Sequence, residues 1–137
     1  MPSVPNCFYR VSVKALILDE QKRFLLSLVE KGTWELPGGG LDFGEEPHEG
    51  LKRELNEEMG LEVISIEDQP SYVVTAFVAK QNIWKANVVY QTTVKNLNFR
   101  PSDECVKLRF FTKKEALKEK LNLGVKKFVK AYDPKNH

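Results

Sequence analysis

Arg53-Glu54-Leu55-Asn56-Glu57-Glu58-Met59-Gly60-Leu61, RELNEEMGL, sets three glutamates and an arginine within six consecutive positions. Leu51, Leu55 and Met59 recur every four residues, Pro47 falls at the expected first helical position and Gly60 ends the run, so the spacing predicts a helix from Pro47 to Met59. With Glu54 at zero and about 100° per residue, Glu58 lies near 40°, Glu57 near 300° and the apolar residues between about 60° and 140°. The three acids share an arc beside the buried stripe, where partial desolvation makes the repulsion of like charges three and four residues apart harder to tolerate. A cation resolves that conflict. Gly50, on the same arc one turn earlier, costs about 1 kcal/mol relative to alanine in a helix interior and predicts a close approach there. The glycine run Gly38-Gly39-Gly40 is the candidate, a loop freed of side chains whose carbonyls can meet the acidic face. Carboxylates with a backbone carbonyl are hard oxygen ligands suited to Mg²⁺ or Mn²⁺, which leave coordination positions open for water and substrate phosphates.

Outward from the helix, the chain reads as strands. Phe8 to Leu18 and Arg23 to Val29 are rich in β-branched, aliphatic and aromatic residues and are separated by the polar Asp19-Glu20-Gln21-Lys22, which predicts a hairpin. Trp34-Glu35-Leu36 reads as a short extended piece, and Glu62 to Ile66, Tyr72 to Ala79 and Trp84 to Val94 as strands, the last two forming a hairpin. Pro101 to Glu104 is a turn before a strand from Val106 to Phe111. Thr112 with Glu115 three residues on predicts a capping box for a helix through Leu117 and Leu121. Val125, Phe128, Val129 and Tyr132 mark a final amphipathic helix. The result is one α/β domain of the α+β type, residues 1–137, with a mixed, largely antiparallel sheet.

Composition agrees with one soluble unit: 137 residues, 42% hydrophobic and 29% charged. No apolar run approaches the roughly 18 residues of a membrane span, and MPSVPNCFYR lacks the pattern of an export signal, so the expected place is the cytoplasm and no membrane partner is expected. Cys7 and Cys105 stand far apart and outside metal-type spacing, as reduced thiols do. Residues 113–137 hold eight lysines against Glu115, Glu119 and Asp133, a local +5 within a net charge of +2. Solvated helix faces account for them, and a polyanion such as RNA is the less favoured alternative.

Read from Gly39, the order is Gly39, five residues, Glu45, seven residues, then Arg53-Glu54-Leu55-Asn56-Glu57-Glu58-Met59-Gly60-Leu61. This resembles the complete signature of the Nudix hydrolases, matching its seven fixed identities and both aliphatic positions. The approach Trp34-Glu35-Leu36-Pro37-Gly38-Gly39 and the late segment from Arg109 to Leu117 are similar to that family as well. The resemblance implies an α/β/α sandwich and hydrolysis of a nucleoside diphosphate linked to another moiety. It implies that Glu54, Glu57, Glu58 and the Gly38 carbonyl hold divalent metal, with Glu54 also a candidate for activating water. Arg53 and Glu45 are implied as the ion pair behind these ligands, and Glu104 as a further acidic ligand or base.

Substrate choice is marked faintly. The segments that accompany dinucleotide and coenzyme A hydrolysis in this family are missing, and Ala76 and Val78 stand where other subfamilies carry proline or tyrosine. A chain without these tags is most similar to members that cleave nucleoside triphosphates and related nucleotides. Among the aromatics, Phe43 and Trp84 border turns where a base could stack, and Asn87 could read a base edge. His48, near 120°, falls with the apolar stripe and outside the site. Two other classes stay open: a nucleotide-binding regulatory domain without turnover, and an RNA 5′-end pyrophosphohydrolase using the basic C-terminus. The sequence leaves the oligomeric state open, although members of the family it resembles are often homodimers.

Overall fold

The computed structural model describes residues 8–137. Its elements are β1 (Tyr9–Leu16), β2 (Phe24–Leu28), β3 (Trp34–Glu35), β4 (Gly38–Gly40), α1 (Pro47–Met59), β5 (Val63–Ile66), β6 (Tyr72–Val78), β7 (Ile83–Val94), β8 (Lys107–Phe111), α2 (Lys113–Ala116) and α3 (Leu123–Ala131). Short 3₁₀ turns occupy Ala79–Gln81 and Pro134–Asn136.

The twelve-residue β7 organises the main sheet. One edge runs parallel to β1, from Tyr9 opposite Trp84 to Leu16 opposite Gln91, while the other takes β6 and then β5, both antiparallel. β4 adds to the free edge of β1. A second sheet has the order β3-β2-β8, antiparallel throughout.

Alternation along the strands fills both faces. Val13, Ala15, Ile17, Leu25 and Tyr90 point to one side, where they meet Leu51, Leu55, Met59 and Leu61 of the α1 region. Leu16, Phe24, Leu26 and Val89 point to the other, against Val125, Phe128, Val129 and Tyr132. Helices thus cover both sides of the strands, giving the expected α/β/α sandwich with a mixed sheet. His48 lies edge-on to Tyr90, with ring centroids 5.0 Å apart, on the apolar side of α1 as its helical angle predicts.

Three local expectations change. The segments on either side of Asp19–Lys22 touch only near the turn, at Leu18 opposite Phe24, and then diverge into separate sheets because each has a longer partner elsewhere. The glycine run, expected as a loop, is a strand paired to β1. The helix begun by the Thr112–Glu115 capping box ends at Ala116 instead of reaching Leu121. Its continuation is drawn out beside β3, where Trp34 N–H donates to the Lys120 carbonyl and Leu121 bridges to Trp34, so tertiary pairing replaces the expected last stretch of helix.

Among the described residues, no helix is long and apolar enough to cross a membrane. Cys105 is a free, fully buried thiol, and Cys7 lies outside the described residues.

Candidate active site

Arg53 is the hub of the acidic helix. Its Nε and Nη2 donate to the two oxygens of Glu45 at 2.7 and 2.9 Å, and Nη2 also reaches the Gly40 carbonyl at 3.1 Å. Nη1 donates to Glu54 at 3.0 Å and to Glu57 at 3.1 Å. One planar guanidinium therefore ties α1, the turn before it and β4 together, a geometry that lysine's single ammonium does not reproduce. Hydrogen bonds from Arg53, and then the Asp42 N–H, hold the Glu45 carboxyl down at about 2. The same contacts with Glu45 and Glu54 raise Arg53 further above its usual range, keeping it charged.

The remaining carboxyls carry the charge conflict. Burial, then hydrogen bonds shared with Glu104 and Glu54, push Glu58 up to about 9. The turn before β8 thus delivers Glu104 to the helix from 46 positions beyond Glu58. Two contacts hold that segment in place: Ser102 Oγ donates to the Glu58 carbonyl at 2.9 Å, and Arg100 Nη2 donates to the carbonyls of Asn56 and Glu57 at 3.1 and 2.9 Å. These satisfy the open C-terminal carbonyls of α1. Arg100 and Ser102 were not singled out from the sequence; their only signal was a position near the Pro101 turn. Glu57 faces Arg53 instead, with its side chain 60% exposed, and is not among the carboxyls touching Glu58.

The glycines fit this arrangement closely. A Cβ on Gly39 would stand 2.5 Å from Glu54 Oε2, and one on Gly38, at φ 130°, would collide with the Val13 carbonyl. Glycine lets β4 lie against both β1 and the Glu54 carboxylate, as a loop approaching the acidic face was expected to do. Gly50 answers to other neighbours: a side chain there would meet Leu41 and, at 2.9 Å, Glu45 Oε1. The close approach predicted at Gly50 is thus made by Leu41 and Glu45, not by the glycine run. The Gly38 carbonyl accepts from Lys14 Nζ at 3.3 Å, so a metal ion using that carbonyl shares it with, or displaces, an ammonium.

On the α3 face of the sheet, next to Lys14, lies a cavity of about 390 Å³ lined by Leu36, Val74, Ala76, Phe77, Asn87 and Val125 among others. Asn87, only 9% exposed, forms part of its wall, and Gly124 at the start of α3 packs where a Cβ would stand 2.8 Å from Asn87 Nδ2. Phe43 stands wholly in solvent and does not line the cavity. Trp84 is outside the lining too, packed between Tyr9 and Phe77 at centroid distances of 6.1 and 5.7 Å. Asn122 joins the wall, donating to Glu35 at 3.1 Å and accepting from the Val125 N–H at 2.8 Å as the cap of α3.

The NUDIX domain profile matches residues 8–132 of this chain. The chain belongs to the NUDIX domain family. Among curated relatives, this NUDIX chain is 46% identical over 54 residues to an RNA pyrophosphohydrolase of Ruthia magnifica subsp. Calyptogena magnifica, covering 39% of this chain and 30% of that protein. It is 43% identical over 56 residues to a MutT-like protein of Streptomyces ambofaciens, covering 40% and 36%. The chain thus spans about a third of the length of these two relatives. Among solved structures, a MutT protein from Methanosarcina mazei Go1 superposes with a TM-score of 0.79 at 25% identity, over 97% of this chain and 99% of that one.

NUDIX hydrolases generally use divalent metals. Among the described residues no three His, Cys, Asp or Glu side chains surround a single point as a finished ligand set. The donor chemistry nevertheless fits such an ion: Glu104 and Glu54 both act on the half-buried Glu58, whose carboxyl burial and these two neighbours push up to about 9. A hard divalent cation would answer such a concentration of carboxylates.

Proposed function

We propose that this NUDIX chain hydrolyses a phosphoanhydride of a nucleoside diphosphate linked to another moiety, with a nucleoside triphosphate or related nucleotide as substrate and Mg²⁺, or Mn²⁺, as its metal. The observation that carries the reading is the contact of Glu58 with both Glu104 and Glu54, the last of which stands against Gly39 of the glycine strand.

When bound, the metal supplies neutralisation of diphosphate oxygens and a water of lowered pKa. Glu54, Glu58 and Glu104 would hold it, with Glu57 joining by rotation away from Arg53 and the Gly38 carbonyl as a further oxygen. Glu54 or Glu104 accepts the proton of the attacking water. Arg53 orients Glu54 and Glu57 from behind, and Glu45 orients Arg53. Lys14, already on the Gly38 carbonyl, is placed to meet phosphate oxygens that cross from the acidic cluster into the cavity, and the cavity itself takes the nucleoside, with Asn87 and Asn122 offering polar contacts to a base. The reading takes the chain as one domain, and the free buried thiol of Cys105 supports a reducing compartment such as the cytoplasm.

The test is phosphate and pyrophosphate release from nucleoside triphosphates, nucleotide sugars, ADP-ribose and dinucleoside polyphosphates with Mg²⁺, with Mn²⁺ and with chelator. Turnover that chelator abolishes supports the reading; ligand-induced stabilisation with no turnover of any substrate assigns a binding-only domain instead. A 5′-triphosphorylated RNA end is the second reading, favoured by the likeness to the RNA pyrophosphohydrolase of Ruthia magnifica. Two of the eight lysines of the basic C-terminus are engaged within the chain, Lys113 on the Lys130 and Tyr132 carbonyls and Lys127 on that of Thr75.

A further inference from the structure

The cavity on the α3 face of the sheet has an unusual wall for a nucleoside site. Its charged lining side chains are Lys14, Lys31, Lys80 and Lys85 against the single acid Glu35, whose carboxylate is engaged by Asn122. Lys31, Lys80 and Lys85 form no ion pair among the described residues. The register sets the backbones of Lys14 and Lys85 apart. Lys14 lies opposite Val89 and Lys85 opposite Arg10, four residues apart on paired strands, or about 13 Å along the sheet. Lys14 marks the end at the Gly38 carbonyl. Lys85 marks the other, and the charges acting on it are Lys14, then the acid Glu35, then Arg10 and Lys31.

A half-buried ammonium with three like charges and only one acid, Glu35, acting on it is costly. Burial, and then the charge of Lys14, push Lys85 below the ordinary lysine range. The nine-residue α3 also opens on this cavity at Leu123, Gly124 and Val125, adding the positive end of a helix. A neutral nucleoside leaves these cations unanswered. The scissile diphosphate, held at the Lys14 end, leaves the far end unanswered too.

We infer that the far end of this cavity, at Lys85, Lys31 and Lys80, binds a second phosphate carried by the part of the substrate remote from the scissile anhydride. The inference rests on the reading of the cavity as the nucleoside site. A phosphomonoester on the ribose of a small nucleotide and the phosphodiester following the first nucleoside of an oligonucleotide share this chemistry, and the lysines engage either as point charges.

Metal-free binding separates the inference from the proposed hydrolysis. Titration calorimetry compares adenosine 5′-monophosphate, adenosine 3′,5′-bisphosphate and the dinucleotide pApA on the wild-type chain, Lys85→Gln, Lys31→Gln and, as a control for net charge, Lys118→Gln on the exposed surface. The expected result is binding of the bisphosphate about tenfold tighter than the monophosphate, the scale of one charge-assisted hydrogen bond, with the preference lost in Lys85→Gln and reduced in Lys31→Gln but kept in Lys118→Gln. Preference for the bisphosphate over pApA assigns a small nucleotide; the reverse assigns an oligonucleotide end. Equal binding of all three by the wild-type chain, or a preference that survives both cavity substitutions, overturns the inference. Turnover measured separately with ATP and Mg²⁺ reports on the proposed hydrolysis alone: binding preference without turnover removes the hydrolysis and keeps the phosphate site, and turnover without preference does the opposite.

Discussion

Arg53 holds Glu45 through both carboxylate oxygens, at 2.7 and 2.9 Å, across the turn that begins α1. The same guanidinium faces Glu54 and Glu57, so the ion pair sets where two of the candidate ligands point. Replacing Arg53 with lysine keeps the charge and loses the fork. Arg53→Lys is expected to lower metal-dependent hydrolysis about 10- to 100-fold, the range found when a residue that orients metal ligands is altered, while far-UV circular dichroism stays unchanged. Wild-type activity in Arg53→Lys would remove this positioning role.

The ion pair also predicts an acid limit. Glu45 is held at about 2 against an ordinary value of 4.5, so its contribution to stability is whole above about pH 4.5 and is lost as the pH falls toward 2, where the folded carboxylate takes up its proton. Urea midpoints of the wild-type chain and Glu45→Gln are expected to differ by a constant amount between pH 7 and 5 and to converge below. A difference that does not change with pH down to 2 contradicts the assignment.

Glu58 has the opposite sign. Its folded value, raised to about 9 from 4.5 in the metal-free chain, makes it a source of stability below about pH 4.5 that is progressively lost as the pH rises through 9. Metal-free protein is therefore expected to melt lower at pH 8.5 than at pH 6, and Mg²⁺ to raise Tm more at pH 8.5, because the ion replaces the proton on Glu58. Glu58→Gln should flatten both dependences. A Tm response to Mg²⁺ that is equal at the two pH values argues against metal at this cluster.

Gly39 tests the cradle around Glu54. A methyl group there falls 2.5 Å from Glu54 Oε2, so the carboxylate must move. Gly39→Ala is expected to lower kcat by about 100-fold, the scale of a misplaced catalytic group, with the fold retained. Gly32, whose Cβ position is open, is the matched comparison, although its φ of 94° makes Gly32→Ala cost some stability of its own. Full activity in Gly39→Ala would show that Glu54 is not needed where it stands.

How much of this was legible beforehand follows contact range. The helix from Pro47 to Met59 is set by local periodicity, a proline at its start and a glycine in the left-handed region, φ 66°, at its end, and its bounds agree with the expectation. The Thr112–Glu115 box is local too, and both of its hydrogen bonds form. The length of α2 was not legible, because what stops it is Trp34, some eighty residues away in the chain, offering its N–H to Lys120. The apparent hairpin after β1 failed for the same reason. Two apolar strands and a polar link specify strands and a turn, while the choice of partner rests on β7 and β8, which lie far along the chain.

The candidate site divides along the same line. The sequence by itself determined the helix, the acids on one arc of it and the glycine and arginine at fixed distances, because a helix converts spacing into angle. Only the tertiary structure decided that Glu104 joins Glu54 and Glu58 while Glu57 turns to Arg53, and that Lys14 takes the Gly38 carbonyl. It also decided that four lysines ring one cavity, leaving Phe43 in solvent. These placements depend on which strands pair and in what register, and pairing energy comes from residues too distant in sequence for any local pattern to carry it.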